Sequence, residues 1–201
     1  AWAKKEIFIM FHYVDDKEYL KEAQSFCAEL LTALTQELLE KGISSQFFLV
    51  GSGARNMVTQ NNKKPIDFDY NLNIQKYENI RDCRTIKEIV RKTFNKILRQ
   101  NDLSDCEDST SSLTTKPIYF SDSEDIEFKI DLCIVTQDSK DLWFRLIHRK
   151  TGNTYQDEYY WNQAPNSKCV KSKAYEIKQV GEWQLVRDKY LGNQECLLEK
   201  Q

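Results

Sequence analysis

Asp67 and Asp69 stand one residue apart in the stretch PIDFDYNLNI, and on an extended chain that spacing sends both carboxylates to one face. Ile66, Phe68, Tyr70 and Leu72 take the alternate positions and make the opposite face apolar. Two carboxylates this close repel unless something positive lies between them. A divalent cation such as Mg²⁺ or Mn²⁺, completed by water and phosphate oxygens, answers that need. Upstream, FFLVGSGARN runs a hydrophobic segment into Gly51-Ser52-Gly53. Two glycines permit a tight turn and a close approach, while the turn's N–H groups and the Ser52 hydroxyl suit phosphate oxygens. A short helical start just beyond the turn would add positive dipole there. Arg55, Lys63 and Lys64 are nearby cations able to neutralise a triphosphate.

A third acid comes later. In DIEFKIDLCIV the residues Ile126, Phe128, Ile130, Leu132 and Ile134 share one face, and Glu127, Lys129, Asp131 and Cys133 share the other. If this strand lies beside the first, Asp67, Asp69 and Asp131 project into one cleft. Three such acids can hold two divalent ions in the arrangement that clamps the attacking and leaving oxygens of an in-line displacement. Glu127 is the alternative third acid, nearer the start of the strand. Each feature alone is ordinary: Asp-x-Asp is commonly a solvated strand face and Gly-Ser-Gly a turn. Their order along the chain is far more specific than any one of them.

The elements that must position these residues follow from periodicity. Ala23, Cys27, Leu30, Leu34 and Leu38 form one apolar stripe, which predicts a helix over 15–41. Asp15 and Glu18 read as its capping box and Gly42 as its stop. A strand is expected over 46–50, a short helical turn over 54–58, and a loop through TQNNKKP, closed by Pro65. The Asp-x-Asp strand covers 66–74. Ile86, Ile89, Val90, Phe94, Ile97 and Leu98 predict a second helix over 81–99. The polar run NDLSDCEDSTSSLTTK reads as a solvated linker. KPIYFS and the Asp131 strand read as a hairpin across SDSED, and LWFRLIHR as an edge strand or irregular apolar segment. After TGNTYQDEYYWNQAPNS the pattern turns helical to the end. The fold class is therefore α/β or α+β: a mixed sheet flanked by helices, with a helical C-terminal region. We expect a catalytic core over 1–150, including the N-terminal helix, and a mostly helical extension over 151–201 packed on it.

Composition narrows the function classes. A chain of 201 residues with 40% hydrophobic and 30% charged content supports one well-buried core. A net charge of −2 leans away from long nucleic acid, and long duplex DNA is not expected as a partner. No apolar run approaches a membrane span, and the opening AWAKKEIFIMFHYVDD lacks the pattern of a secretory signal. Cys27, Cys83, Cys106, Cys133, Cys169 and Cys196 are widely spaced, which fits reduced thiols in a cytoplasmic protein better than a disulfide frame or a zinc site. His12 and His148 lie in apolar-rich stretches with no metal-ligand spacing between them, and read as core or boundary residues. Trp143, Tyr159, Tyr160 and Trp161 have the chemistry to stack a base, though such density more often packs a core. Lys168, Lys171 and Lys173 suit a solvated helix.

The hydrophobic strand Phe48 to Val50, Gly51-Ser52, Asp67-Phe68-Asp69 and the later Asp131 together resemble the nucleotidyltransferase superfamily. That superfamily includes DNA polymerase beta, the kanamycin-type nucleotidyltransferases, poly(A) and CCA-adding enzymes, and oligoadenylate synthases. The resemblance covers roughly residues 45 to 136, and the loop MVTQNNKKP is longer than is usual there. It implies that Asp67 and Asp69 bind the metal ions and the triphosphate, that Asp131 joins the catalytic metal and helps activate the attacking hydroxyl, and that Ser52 touches the terminal phosphates. It implies a metal-dependent enzyme, using Mg²⁺ or Mn²⁺, that moves a nucleoside monophosphate from a nucleoside triphosphate such as ATP to a hydroxyl and releases pyrophosphate. The acceptor stays open among small molecules, RNA and protein. Three other classes compete: a non-catalytic nucleotide- or RNA-binding relative, a metal-dependent phosphohydrolase, and a pyrophosphoryl transferase of related fold, which would be expected to lack the Asp-x-Asp pair. Retention of all three acids speaks against the first, and the phosphate-cradling turn against the second.

Overall fold

Asp16 opens the first long helix, α1 (Lys17–Glu40), by accepting a hydrogen bond from the Tyr19 N–H at 2.9 Å. The cap is thus Asp16 and not Asp15, because a side-chain oxygen at the cap reaches the free N–H three residues on. Tyr19, Ala23, Cys27, Leu30, Leu31, Leu34 and Leu38 form its buried stripe. Gly42, at φ +77°, reverses the chain. Asp82 caps the second helix, α2 (Cys83–Gln100), in the same way, through the Thr85 N–H at 3.0 Å. Its apolar face carries Ile86, Val90, Phe94, Ile97 and Leu98. These positions come from the computed structural model, which describes residues 11–120, 126–165 and 168–198.

Nine strands accompany the helices among the described residues: β1 (Phe11–Tyr13), β2 (Ser44–Leu49), β3 (Thr59–Asn61), β4 (Ile66–Lys76), β5 (Glu107–Asp108), β6 (Leu113–Thr114), β7 (Phe128–Gln137), β8 (Trp143–Arg149) and β9 (Glu158–Gln163). The main sheet runs β2-β4-β7-β6-β5, with β8 pairing the far end of β7 and β9 lying outside β8. β4 and β7 are parallel neighbours, while β2 pairs β4 antiparallel. Ile66, Phe68, Tyr70, Leu72 and Ile74 of β4 and Phe128, Ile130, Leu132 and Ile134 of β7 are buried in one core with the α1 and α2 stripes. The other sheet face keeps the polar residues. This is a mixed α+β architecture, a sheet flanked by helices with a helical C-terminal region.

Several local expectations change. TQNNKKP is not all loop: Thr59–Asn61 is β3 and pairs antiparallel with β1, a partner too distant in sequence to leave a local signal. The turn after Gly51 is a single 3₁₀ turn, Gly53–Arg55, too short for a useful helix dipole. The expected linker over 101–116 contains β5 and β6, which fold onto β7 because Leu113 is fully buried. Residues 121–125 lie outside the described residues, and what remains of the expected hairpin is a bridge between Ile118 and Phe128. LWFRLIHR is strand β8, and it is not an edge, because part of the expected C-terminal loop forms β9 beside it. Helices α3 (Lys168–Gln179) and α4 (Trp183–Leu198) follow, separated at Gly181 with φ +75°. The α4 helix reaches β1, where the Tyr13 hydroxyl donates to the Arg187 carbonyl at 2.6 Å and the Arg187 guanidinium covers the Tyr13 ring.

Candidate active site

Strand register decides how the acids meet. Asp69 pairs with Asp131 and Asp67 with Lys129 across the parallel β4–β7 ladder. All four side chains belong to the polar face, since the intervening residues on both strands are buried. Asp67 is exposed, whereas Asp69 and Asp131 are half-buried. Burial pushes the Asp69 carboxyl up to about 6, with the charges of Asp131 and then Asp67 adding to the shift and Arg145 opposing it. Asp67 is raised too although it reaches solvent: partial desolvation against the sheet comes first and the Asp131 charge second, with Lys129 opposing. The face therefore carries electrostatic strain that a cation would relieve.

The glycine turn abuts this face. β2 ends beside β4, and the Val50 N–H donates to the Asp69 carbonyl at 2.8 Å. Gly51 follows at φ +63°, and a β-carbon placed there would collide with Asp69 Oδ2. Only glycine combines that left-handed backbone with that contact. Ser52 leads into the 3₁₀ turn with its hydroxyl uncommitted to a cap. The N–H groups of Ser52 and Gly53 donate to no backbone carbonyl among the described residues. Gly53 is buried against Leu49. Turn donors and Asp69 carboxylate thus share one small space.

The expected cations take different places around this turn. Arg55 folds back to donate from Nη1 to the Gly51 carbonyl at 3.0 Å, which braces the turn. Lys63 and Lys64 are exposed in the connection between β3 and β4. The cations that oppose the carboxylate shifts are Lys129 and Arg145. Arg145 pairs with Val135 at the β7–β8 register, which places it on the acidic face, half-buried. Alternation along LWFRLIHR reveals it once that segment is recognised as a strand.

Thr114 is the other missed residue. It sits opposite Asp131 on β6, and its hydroxyl donates to Asp131 Oδ1. Farther along the face, Phe48 and Trp143 meet edge to face with centroids 5.8 Å apart, and the buried amide oxygens of Asn71 and Asn73 have no hydrogen-bond partner among the described residues. Tyr159 and Trp161 belong to the opposite face: Tyr159 stacks on His148 with centroids 4.2 Å apart, and Trp161 Nε1 donates to the Ile80 carbonyl at 2.7 Å. They are committed to packing.

His148 is a buried boundary residue, as expected. Its Nδ1 lies 3.0 Å from Asp108 and its Nε2 3.0 Å from Asp157, and Lys87 pairs with Asp108 at 2.7 Å. Burial lowers the Lys87 ammonium below its usual range, with Asp108 opposing.

The acids are hard oxygen donors on one strained face, which fits magnesium or manganese chemistry. Among the described residues, no three His, Cys, Asp or Glu side chains converge closely enough to enclose an ion alone.

No family model matches this chain, and no curated protein matches it. Solved structures do align. The cyclic AMP-GMP synthase DncV of Vibrio cholerae aligns at 14% identity over 67% of this chain and 34% of its own, with a TM-score of 0.45. CdnG of Bradyrhizobium diazoefficiens, a CD-NTase solved with GTP, aligns at 13% identity over 72% of this chain and 39% of its own, with a TM-score of 0.47. CdnC of E. coli MS115-1, solved in complex with HORMA-deltaN, aligns at 15% identity over 74% of this chain and 41% of its own, with a TM-score of 0.45. This chain thus matches about two fifths or less of those proteins' lengths. No helix among the described residues is long and apolar enough to cross a membrane.

Proposed function

We propose that the acidic face is a nucleotidyl-transfer site. The observation that carries the reading is the opposition of Asp69 and Asp131 on parallel strands, with the Gly51-Ser52 turn pressed against Asp69. In this reading Asp67, Asp69 and Asp131 hold Mg²⁺ or Mn²⁺. The cation supplies charge neutralisation at the triphosphate and at the attacking oxygen. Ser52, with the N–H groups of Ser52 and Gly53, grips the β- and γ-phosphates. Asp131 accepts the proton of the acceptor hydroxyl, whose oxygen then bonds to the α-phosphorus. The bond from the α-phosphorus to the bridging oxygen breaks, and pyrophosphate leaves with the electron pair. Gripping the terminal phosphates makes pyrophosphate the natural leaving group. Arg145, already oriented to the acidic face, offers further charge near the reacting phosphate.

We assign residues 1–150 to the catalytic core and 151–201 to an extension that adds β9, α3 and α4. The substrates are a nucleoside triphosphate, ATP in the simplest case, and a hydroxyl on a small molecule, RNA or protein. The free thiols of Cys27, Cys83, Cys106 and Cys133 suit a reducing, cytoplasmic setting.

The test is incubation with α-labelled nucleoside triphosphate, Mg²⁺ and a pool of metabolites, RNA and protein. Transfer puts label on a discrete acceptor and leaves free monophosphate slow to form without one. Label released as monophosphate at the same rate with or without acceptors would instead make the protein a phosphohydrolase.

A further inference from the structure

We infer that Thr114 is a positioning residue for Asp131, set in place by a hydroxyl chain and a buried charge cluster behind it. The inference rests on the proposed role of Asp131. Thr114 and Asp131 are register partners across the antiparallel β6–β7 pair, and the threonine hydroxyl donates to Asp131 Oδ1. Among the described residues Oδ2 has no partner, so the carboxylate has one oxygen tied to the protein and one left for a ligand.

The donor is itself supported. Ser112 Oγ lies 3.4 Å from Thr114 Oγ1, and Ser109 Oγ lies 2.8 Å from Ser112 Oγ. Ser109 Oγ donates to the Ser112 carbonyl at 3.1 Å, so its proton stays within the turn and it meets Ser112 Oγ as an acceptor or near neighbour, while Thr114 gives its own proton to Asp131. The turn between β5 and β6 is closed by the Ser109 N–H to the Ser112 carbonyl at 3.0 Å and by the Ser112 N–H to Ser109 Oγ at 3.1 Å.

Behind the turn, buried charges pin the hairpin to the rest of the fold. Lys87 Nζ donates to the Ser109 carbonyl at 2.7 Å while pairing with Asp108. His148 bridges Asp108 to Asp157, and its backbone N–H donates to the Thr110 carbonyl at 2.8 Å. A serine- and threonine-rich segment that composition marks as solvated linker is thereby held rigid on three sides. Packing alone does not require this chain of hydroxyls. A carboxylate that must offer one oxygen in a fixed direction does.

Outer partners of metal-binding carboxylates typically change affinity by roughly 10–100-fold when removed. The test uses Mn²⁺ alone as the probe, followed by electron paramagnetic resonance on the full chain, with unfolding measured in parallel. Wild type should bind Mn²⁺, and Asp69→Asn should abolish that binding. Thr114→Val, which keeps shape and strand preference, should weaken Mn²⁺ by about 10-fold or more with unfolding nearly unchanged. Thr114→Ser, which restores the hydroxyl, should return affinity to within about twofold of wild type, the residual difference reflecting rotor freedom. Turnover should follow the same order, with the loss in kcat and little change in KM for the nucleoside triphosphate. Wild-type affinity in Thr114→Val, or equal losses in Thr114→Val and Thr114→Ser, would overturn the inference while leaving the acidic site standing. Absence of any Asp69-dependent Mn²⁺ binding in wild type would overturn the site and the inference together.

Discussion

Gly51 and Asp69 share a space that a β-carbon would fill: the glycine lies at φ +63° directly against the Asp69 carboxylate. Backbone conformation and close approach therefore select glycine independently at the same position. Gly51→Ala should destabilise the protein by about 1–3 kcal/mol, from left-handed strain together with displacement of the carboxylate. It should also abolish metal-dependent nucleotide binding. Ser52→Ala should leave chemical unfolding unchanged, because the hydroxyl caps nothing. Equal stability in Gly51→Ala and wild type would show that the turn yields freely.

Asp69 gives a pH signature. Its folded-state carboxyl is pushed up to about 6, above the unfolded value near ~4. Between those values the folded state keeps a proton that the unfolded state has lost, so this residue's contribution to stability falls as pH rises through the window. Asp69→Asn removes that loss. The variant's stability advantage over wild type should grow from pH 4 to pH 6 by roughly 1–3 kcal/mol and then level off. Adding Mg²⁺ should shrink it. Urea unfolding across that range checks the sign, and an advantage that stays flat or shrinks with pH contradicts it.

The helix stripe is tested at Leu34, which is fully buried in the core shared by α1, α2 and the sheet. Leu34→Ala should cost about 2–5 kcal/mol. Glu37, one turn away, pairs with Lys96 at 2.8 Å on the surface, and Glu37→Ala should barely move the melting temperature. Comparable losses at the two positions would mean that the buried face of α1 is misassigned.

His148 is the counterpart inside the charge cluster. Its two ring nitrogens lie 3.0 Å from Asp108 and 3.0 Å from Asp157. His148→Ala removes the buried ring that bridges Asp108 and Asp157 and leaves both carboxylates without that partner, which should cost roughly 2–5 kcal/mol. Arg149→Ala, next along β8, breaks only the exposed pair with Glu158 and should leave thermal unfolding nearly unchanged. Thermal melts of the two variants, compared side by side, decide between a structural cluster and a solvated one.

Alternation and helical periodicity were enough to read α1, α2, β4 and β7, and hence which face carries Asp67, Asp69 and Asp131, because those elements are long and bury one side. Parallel pairing of β4 with β7 was not deducible from either strand alone. The short strands carry no such periodic signal. β5 and β6 have two residues each inside a polar run, and only burial of Leu113 against β7 holds them there. Thr114 lies in β6 and shares that silence. Arg145 was hidden for a different reason: LWFRLIHR is apolar enough to read as irregular core until β9 supplies its second neighbour. Arg55, Lys63 and Lys64 are legible as cations near the turn in sequence, whereas Lys129 and Arg145, which oppose the raised Asp67 and Asp69 carboxyls, are brought to the face by strand register.

The most direct test of the central claim is calorimetric titration of the protein with a nucleoside triphosphate, with Mg²⁺ and with chelator, in wild type, Asp69→Asn and Asp131→Asn. If opposed carboxylates and the glycine turn form one site, wild type binds the nucleotide markedly better with Mg²⁺. Both variants lose that metal-dependent gain while remaining folded, since each substitution relieves repulsion on the face. Equal affinity with Mg²⁺ and with chelator in wild type, or an undiminished gain in both variants, would contradict the account.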